Sequence, residues 1–477
     1  MKPYYFLLLL FSHISPFLSQ GTWKTVSVGP GFSVALHSDG TLWSWGVNNY
    51  AQLGNDTAAF NGGAGIAYNN VPVQVVTPFH DWIAVDCAEA YTVAIRANGT
   101  LWGWGCKKNV NSASPVLVYS PEQIGIDSNF VSVSAGYNFY AAIKADGTLW
   151  TWGANNHGQL GRVDSTEWVE TPIQVGLSAN WKQISCGTGH SVALDSAGHM
   201  YFWGQRSWGP NSGTIQYTPV MCDSYLYQYV CAGNGTSAAI QANGSLWVWG
   251  FNYGGYLGFG DVMDRSVPTQ LGIDFDWSKI YTGSSYFLGL KNDKTLWGWG
   301  YNGDGQFGNG SFDNITAPSP ISLNGATYDQ VAVVSGPCFF EGPSLPFGYH
   351  TLCVTANQLS ICAAGLNLWG YLGTGNFTDT PEFNCSVFNL ASIDEKPKLA
   401  NLIYPNPSNG KFTLEAPLEA GQQVQIFNVN GQRVFSQPIL ISGLNISLEP
   451  NLPQGLYLLK LINEEGSQIG SSRVVVE

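Results

Sequence analysis

The sequence predicts an all-β protein in which a seven-bladed β-propeller is followed by a small β-sandwich. Three observations lead to this fold class. The composition is poor in charge and rich in aromatic residues and glycine, and one tryptophan-containing string occurs six times along the chain and a seventh time in a degenerate form. Residues 399–477 lack that string and alternate short apolar runs with turn residues instead.

The composition favours folded β structure. Charged residues make up 11% of the chain and aromatic residues 14%, with 18 Trp and 57 Gly. Disordered chains and chains with long surface helices have the opposite balance. The 19 basic and 32 acidic residues give a net charge of −13, so we expect neither nucleic acid nor an anionic membrane as a partner.

Residues 1–20 have the pattern of a secretory signal peptide. Lys2 precedes the apolar runs Tyr4–Leu10 and Phe11–Leu18, and polar Ser19-Gln20 follows. A buried strand or a membrane anchor is the alternative. No later segment approaches the roughly 20 apolar residues that a membrane-spanning helix needs. We therefore expect an exported protein, and export permits disulfides.

The recurring string sets the architecture. Its first copy is DGTLWSWG, and further copies follow at intervals of about 50 residues. A period of this length is typical of propellers, solenoids and arrays. The copies end at Gly46, Gly105, Gly153, Gly204, Gly250, Gly300 and, in a degenerate form, Gly365.

Each repeat has the parts of a four-stranded sheet. An aromatic or apolar residue opens the first strand, and a second strand follows a small-residue turn. Asp-Gly or Asn-Gly then predicts a two-residue type I′ hairpin, as at Asp39-Gly40. The string forms the third strand, and a proline-containing stretch begins the fourth. The predicted opening residues are Trp23, Trp82, Phe130, Trp181, Tyr229, Trp277 and Val331.

The third strand indicates why these sheets must stack. Side chains alternate between the faces of a strand, so Trp43 and Trp45 share one face and Leu42 lies on the other. Both faces are bulky and apolar, which requires a neighbour on each side. Propeller blades provide two neighbours, whereas a sandwich leaves one face polar and a solenoid needs capping repeats.

A second motif follows the string. It has the pattern NxxGQLG and occurs, with small changes, at Asn48–Gly54, Asn155–Gly161, Asn252–Gly258, Asn302–Gly308 and Asn367–Gly373, but not in repeats two and four. The combination resembles the regulator of chromosome condensation repeat over residues 21–392. The resemblance implies a seven-bladed propeller. Because the chain begins and ends in mid-repeat, we expect the N-terminal strands to complete the last blade.

The C-terminal segment resembles a different family. Pro405-Asn406-Pro407, the turn at Gly431 and the strand containing Gly455 and Tyr457 are similar to the C-terminal sorting domain of type IX secretion substrates of Bacteroidetes. The resemblance implies outer-membrane translocation by that secretion machinery, often with removal of the domain and attachment to the cell surface. We expect a linker at 393–398 and the sorting domain at 399–477.

Residues that could carry chemistry are few. The chain has no HExxH, CxxC pair or GxSxG motif, so we expect no metal, no cofactor and no enzymatic activity. His190 and His350 fall in a repeat column that elsewhere holds Phe, Tyr or Thr, which indicates packing or strand hydrogen bonding. Asn302–Gly305 weakly resembles a calcium loop but lacks the alternating acids.

The nine cysteines allow several pairings. Cys353 and Cys362 lie symmetrically about a turn, opposite each other on a predicted hairpin and within disulfide reach. Cys222 with Cys231 is a weaker candidate. At least one cysteine remains unpaired or bonds to another chain.

The sequence leaves three functions open. The first is a secreted or cell-surface propeller, exported through the periplasm, that binds protein partners through its loop faces. The second is a carbohydrate-binding protein that uses exposed aromatic residues. The third is an enzyme with an unrecognised site. Fold alone does not choose among them.

Overall fold

The structure, a computed structural model, consists of two compact units, residues 1–389 and 390–477. It describes residues 21–55, 67–108, 115–163, 167–177, 180–205, 214–321, 325–334, 348–385, 403–404, 411–418, 420–428, 433–440, 443–462 and 468–476. The predicted signal peptide and the predicted linker 393–398 lie outside these residues. In the described part, no helix is long and apolar enough to cross a membrane.

The first unit contains seven four-stranded antiparallel blades. Blades 1 to 3 are β1 (Trp23–Gly29), β2 (Phe32–His37), β3 (Leu42–Val47), β4 (Tyr68–Gln74); β5 (Trp82–Ala88), β6 (Tyr91–Arg96), β7 (Leu101–Lys108), β8 (Val116–Gln123); and β9 (Phe130–Ala135), β10 (Phe139–Lys144), β11 (Leu149–Ala154), β12 (Trp168–Gln174). Blades 4 and 5 are β13 (Trp181–Cys186), β14 (His190–Asp195), β15 (His199–Gln205), β16 (Ile215–Ala232), β17 (Thr236–Gln241), β18 (Leu246–Gly250) and β19 (Arg265–Gln270). Blades 6 and 7 are β20 (Trp277–Thr282), β21 (Tyr286–Lys291), β22 (Leu296–Gly300), β23 (Ile315–Pro320); and β24 (Tyr328–Val333), β25 (His350–Thr355), β26 (Ile361–Gly365), β27 (Thr380–Asn384). A short 3-10 helix, Tyr253–Gly255, follows β18.

The blades form a closed ring. The first strand of every blade lines a central channel of about 260 Å³. Within each blade the strands follow chain order, and β16 is long enough to be the fourth strand of blade 4 and the first strand of blade 5. The predicted all-β propeller with a tryptophan-rich third strand is confirmed.

The predicted mode of ring closure is wrong. The strands of blade 1 pair in the order β1-β2-β3-β4, and blade 7 likewise has its own four strands, so the described N-terminal strands do not complete the last blade. The two blades meet through hydrogen bonds instead. The Trp23 N–H donates to the Gln358 carbonyl (2.8 Å), and Asn70 Nδ2 donates to the Gly375 carbonyl (3.0 Å).

Two predicted opening residues shift by a few positions. In most blades the opener pairs with the last residue of the second strand, as Trp23 does with His37. By this register the openers of blades 5 and 7 are Tyr227 and Tyr328, and not Tyr229 and Val331. Both tyrosines are buried, as the tryptophan openers are.

The Asp-Gly hairpin differs from the predicted type I′ turn. Gly40 has φ +80°, whereas φ of Asp39 is not the positive value that a type I′ turn at Asp39-Gly40 would require. The Gly40 N–H donates a hydrogen bond to the His37 carbonyl. This is a type I turn with glycine in the left-handed position. Asp39 Oδ1 accepts hydrogen bonds from the backbone N–H (2.9 Å) and the hydroxyl (2.7 Å) of Thr41. The Thr41 hydroxyl in turn accepts one from Trp43 Nε1, which accounts for the DGTLW spacing.

The core of the ring lies between blades, as two-sided burial requires. One cluster joins Leu36 and Leu53 of blade 1 to Val85 and Trp104 of blade 2. The second tryptophan of the string is fully buried at Trp45, Trp104, Trp203 and Trp299. Aromatic residues of this size each bury a large apolar area, so they dominate the packing energy.

Neither predicted disulfide forms. Cys353 and Cys362 are direct cross-strand partners, but Cys362 bonds to Cys385, which directly follows β27 on the other side of β26. Cys353 remains a thiol. Cys222 and Cys231 lie nine residues apart on the single strand β16. At about 3.3 Å per residue that separation far exceeds the roughly 7 Å limit for bonding. The Cys231 thiol instead lies 3.2 Å from the Thr282 hydroxyl.

The second unit contains two antiparallel sheets. Its strands are β28 (Ile403–Tyr404), β29 (Phe412–Leu418), β30 (Gln423–Phe427), β31 (Arg433–Pro438), β32 (Gly443–Leu448), β33 (Gly455–Ile462) and β34 (Gln468–Val476). Leu414 and Leu448 from one sheet pack in one core with Val424 and Leu459 from the other. Gly455 opens β33, and the Tyr457 hydroxyl donates to the Pro453 carbonyl (2.8 Å). The other motif residues, Pro405, Asn406, Pro407 and Gly431, lie outside the described residues.

Peptide mapping under non-reducing conditions tests the disulfide assignment. We expect a Cys362–Cys385 cross-link and a free thiol at Cys353. The Cys385→Ser substitution should lower the free energy of unfolding by about 3 kcal/mol, because a bridge across some 23 residues restricts the unfolded chain. Cys353→Ser is the control for the cross-link and should leave it intact. A Cys353–Cys362 bond in the exported protein would contradict the assignment.

Candidate binding face

One end of the propeller carries the long loops. Strands in a blade are antiparallel, so the turn between the first and second strands and the loop between the third and fourth emerge at the same end. We call this end the loop face. Its fully described long loops are residues 251–264, 301–314 and 366–379, in blades 5, 6 and 7.

A buried asparagine braces each of these loops. Oδ1 of Asn252, Asn302 and Asn367 accepts a hydrogen bond from the backbone N–H five residues later, at 2.7 to 3.0 Å. Their Nδ2 groups donate to backbone carbonyls nine residues later, at 2.8 to 3.0 Å. Their own N–H groups donate to a side-chain oxygen twelve residues later. This bracing explains Asn302–Gly305 as part of the repeat and not as a calcium loop.

The braced loop also holds the next blade. A Cβ atom on Gly258 would lie 2.6 Å from Trp299 Cδ1, and one on Gly373 would lie 2.8 Å from Trp45 Nε1, so only glycine fits. The Tyr371 carbonyl accepts hydrogen bonds from Trp45 Nε1 (2.9 Å) and the Ser33 hydroxyl (3.1 Å). The loop of blade 7 therefore helps to close the ring onto blade 1.

The two column histidines are structural, as predicted. His350 Nε2 lies 2.9 Å from the Ser33 hydroxyl of the next blade, and His190 Nε2 lies 2.9 Å from the Ser237 hydroxyl of its next blade. Burial lowers the pKa of His190 to about 4 and that of His350 to about 3. Both rings are neutral at physiological pH and link neighbouring blades.

Apolar side chains stand at matching positions on the three braced loops. Val262, Phe312 and Phe377 each lie ten residues after the bracing asparagine and are 68%, 53% and 47% exposed. Tyr253, next to the first bracing asparagine, is 84% exposed. The Phe377 ring also meets Tyr68 of blade 1 edge-on, with ring centroids 5.3 Å apart. We call these five residues the apolar crest.

Two acids near the channel have structural explanations: Asp86 accepts hydrogen bonds from neighbouring blades, and Glu89 has a raised pKa. Asp86 accepts hydrogen bonds from the Ser27 hydroxyl (2.7 Å) and the Ala135 N–H (2.8 Å), linking three blades, although desolvation raises its pKa. Burial raises the pKa of Glu89 to about 8. No group of three or more His, Cys, Asp or Glu that could hold a metal occurs in the described ranges.

The crest was not found by sequence reasoning, because its residues belong to no motif. The available signal was positional. Val, Phe and Phe stand at one fixed distance from the bracing asparagine in three consecutive repeats, and a position that the loop geometry leaves exposed has no packing reason to be apolar.

Fold and loop together define the class: the first unit is a propeller built from regulator of chromosome condensation repeats. The Regulator of chromosome condensation (RCC1) repeat family matches residues 39–95, 146–194 and 243–290, and a second pattern of that repeat matches 23–52, 130–159 and 277–306. The Secretion system C-terminal sorting domain family matches residues 402–477. The chain therefore carries RCC1 repeats followed by a sorting domain.

Several known proteins are similar to the propeller. The ultraviolet-B receptor UVR8 of Arabidopsis thaliana is 28% identical over 260 residues, 51% of this chain and 57% of that protein. RUG3, a mitochondrial RCC1 domain-containing protein of the same plant, is 27% identical over 50% of this chain and 56% of its own. The probable E3 ubiquitin-protein ligase HERC4 of Homo sapiens is 34% identical over 39% of this chain and 19% of its own. The chain thus spans only part of each relative's length.

Solved structures agree on the fold. Yeast RCC1 (Prp20), in a crystal structure with Kap60, superposes with a TM-score of 0.57 at 20% identity, covering 66% of this chain and 78% of that one. Human WBSCR16 gives a TM-score of 0.57 at 21% identity, covering 66% and 85%. At these identities the likeness shows the fold alone.

Substitution of a bracing asparagine tests whether the loops depend on it. Asn302→Ala removes an acceptor and a donor from a fully buried site, and we expect a loss of about 2–4 kcal/mol in unfolding free energy. Asn302→Asp keeps the acceptor for the Phe307 N–H but loses the donor. Chemical denaturation should rank the wild type above both variants. A wild-type value for the alanine variant would show that the brace is dispensable.

Proposed function

We propose that this protein is an exported binding propeller that engages a protein partner through the apolar crest. The observation that carries the proposal is the matching exposure of Val262, Phe312 and Phe377 on three braced loops. Exposed apolar side chains grouped on one surface are typical of interaction sites. Aromatic residues held in advance in one conformation lose little entropy on binding, so they contribute most to affinity.

The tryptophans of the blades support this proposal over sugar stacking. The partly exposed first tryptophan of the string is covered by a cation in several blades. Lys144 Nζ lies 3.8 Å from the Trp150 ring centroid, and Lys291 Nζ lies 4.1 Å from that of Trp297. These ring faces are already occupied by cation–π contacts within the propeller. Carbohydrate binding through them would require breaking the ion pairs that hold the cations, such as Lys291 with Asp274 (2.8 Å).

The sorting domain supports export as the setting for this binding. The match of residues 402–477 to the secretion sorting domain family is the observation that supports export. We propose passage through the periplasm, directed by the signal peptide at 1–20, and then release or attachment at the outer cell surface. The partner is accordingly an extracellular protein, and the proposed role is non-enzymatic.

Charge substitutions on the crest test the binding role. The triple variant Val262→Asp, Phe312→Asp, Phe377→Asp should reduce capture of partner proteins from neighbouring-cell extracts by more than tenfold, since each buried anchor contributes about 2 kcal/mol. Its melting temperature should stay near that of the wild type, because exposed substitutions cost little stability.

A matched control exists at the opposite end of the propeller. Ile126, Leu177 and Ile273 are highly exposed in the connections between blades. Their triple aspartate variant carries the same added charge and should bind normally. Equal capture by both triple variants would rule out the crest as the binding surface.

Removal of the sorting domain tests the export role. A chain ending at residue 395 should fold cooperatively, because the propeller is a compact unit of its own. In the native host it should accumulate in the periplasm, as measured by cell fractionation and immunoblotting. Arrival of the truncated chain at the cell surface would contradict the assignment of the sorting function.

A further inference from the structure

A second feature of the loop face is a compact polar cleft between blades 3, 4 and 5. It has a volume of about 210 Å³. It lies beside the blade turns that contain Asn138, Thr188 and Asn234, whereas the apolar crest belongs to blades 5, 6, 7 and 1. The cleft is therefore separate from the surface that carries the proposed function.

The described wall of the cleft is rich in carboxamides. Among the residues that the structure describes, Asn138, Asn156, Gln159, Gln205 and Asn234 line it, and no Asp, Glu, Lys or Arg does. The remaining wall consists of aromatic, hydroxyl-bearing and small residues: Tyr137, Ala154, His157, Thr188, Gly189 and Gly235. A carboxamide both donates and accepts hydrogen bonds, as a ligand hydroxyl does.

Several of these polar groups have no partner in the described part of the protein. The carboxamides of Asn138, Asn156, Gln205 and Asn234 make no hydrogen bond there, whereas the bracing asparagines use both of their polar atoms. The Thr188 hydroxyl oxygen is buried and also unpaired. The penalty for a buried unpaired polar atom applies to the Thr188 oxygen. The four carboxamides are exposed or half-buried, so they are accessible to a ligand.

We infer that this cleft binds a neutral sugar ring. A pyranose presents several hydroxyls that both donate and accept, and it carries no charge that this wall would fail to neutralise. The volume is below the roughly 300–1,000 Å³ of sites for drug-sized molecules, which suits a single ring. An extended peptide fits less well, because peptide recognition uses a sheet edge or a long groove and this cleft is compact.

Saturation-transfer NMR and calorimetry on the full chain test the inference. The probes are the methyl glycosides of glucose, mannose and galactose, and N-acetylglucosamine. Glucuronate and glucosamine serve as charged counterparts, and a blocked Gly-Asn-Gly peptide represents a polypeptide source. We expect at least one neutral sugar to bind and the charged sugars and the peptide to bind at least tenfold more weakly.

Two cleft variants locate the binding. Thr188→Val keeps the side-chain shape and removes the hydroxyl, and Asn234→Ala removes a carboxamide. Each should weaken sugar binding about tenfold. Thr316→Val, at an exposed position on β23, is the matched control and should have no effect. Absence of binding by every neutral sugar, binding unchanged in both cleft variants, or binding of the peptide alone would each overturn the inference.

Discussion

The propeller depends on one recurring interaction, the hydrogen bond from a loop N–H to the side-chain oxygen of a buried asparagine five residues earlier. It is present at Asn48, Asn155, Asn252, Asn302 and Asn367. By fixing the loop, it brings the final glycine of the motif against an aromatic residue of the next blade, which is a tryptophan in four cases and Phe383 for Gly308. The five braced loops thereby attach blades 1, 3, 5, 6 and 7 to the blade that follows each of them, and the ring closes from blade 7 to blade 1 without any exchange of strands.

The same interaction makes the loop face suitable for binding. A long loop with free backbone groups would have to become ordered when a partner arrives, and that ordering would weaken the complex. Here the asparagine satisfies the loop backbone in advance, and its fully buried position protects the bonds from water. The residue ten positions later is exposed in a fixed orientation, so a motif that stabilises the ring also presents the crest.

Sequence reasoning succeeded where seven copies of a pattern could be compared. The number of blades, the strand order and the structural role of His190 and His350 all came from such comparison. It failed where a feature occurs once or depends on a non-local neighbour. Cys362 lies on β26, which pairs with β25 on one side and β27 on the other, whereas the hairpin pattern in the sequence involves only β25 and its Cys353. Ring closure depends on contacts between blade 1 and blade 7, which are far apart in the sequence, and no local sequence pattern predicts these contacts.

The turn type and the crest were missed for different physical reasons. Asp-Gly is compatible with more than one hairpin. The hydrogen bond that the Thr41 N–H donates to Asp39 and the one that the Thr41 hydroxyl accepts from Trp43 select the hairpin observed. The crest residues belong to no sequence motif, and it is their exposure in the folded protein that identifies them.

Hydrogen exchange of the loop amides tests the account most directly. In the folded full-length protein, the N–H groups of Leu257, Phe307 and Leu372 donate hydrogen bonds to the side-chain oxygens of the bracing asparagines. If the braced loops are rigid parts of the ring, these amides should exchange only on global unfolding, at the rate of the amides in β18, β22 and β26. Rapid exchange at these three positions, with the strands still protected, would contradict the account.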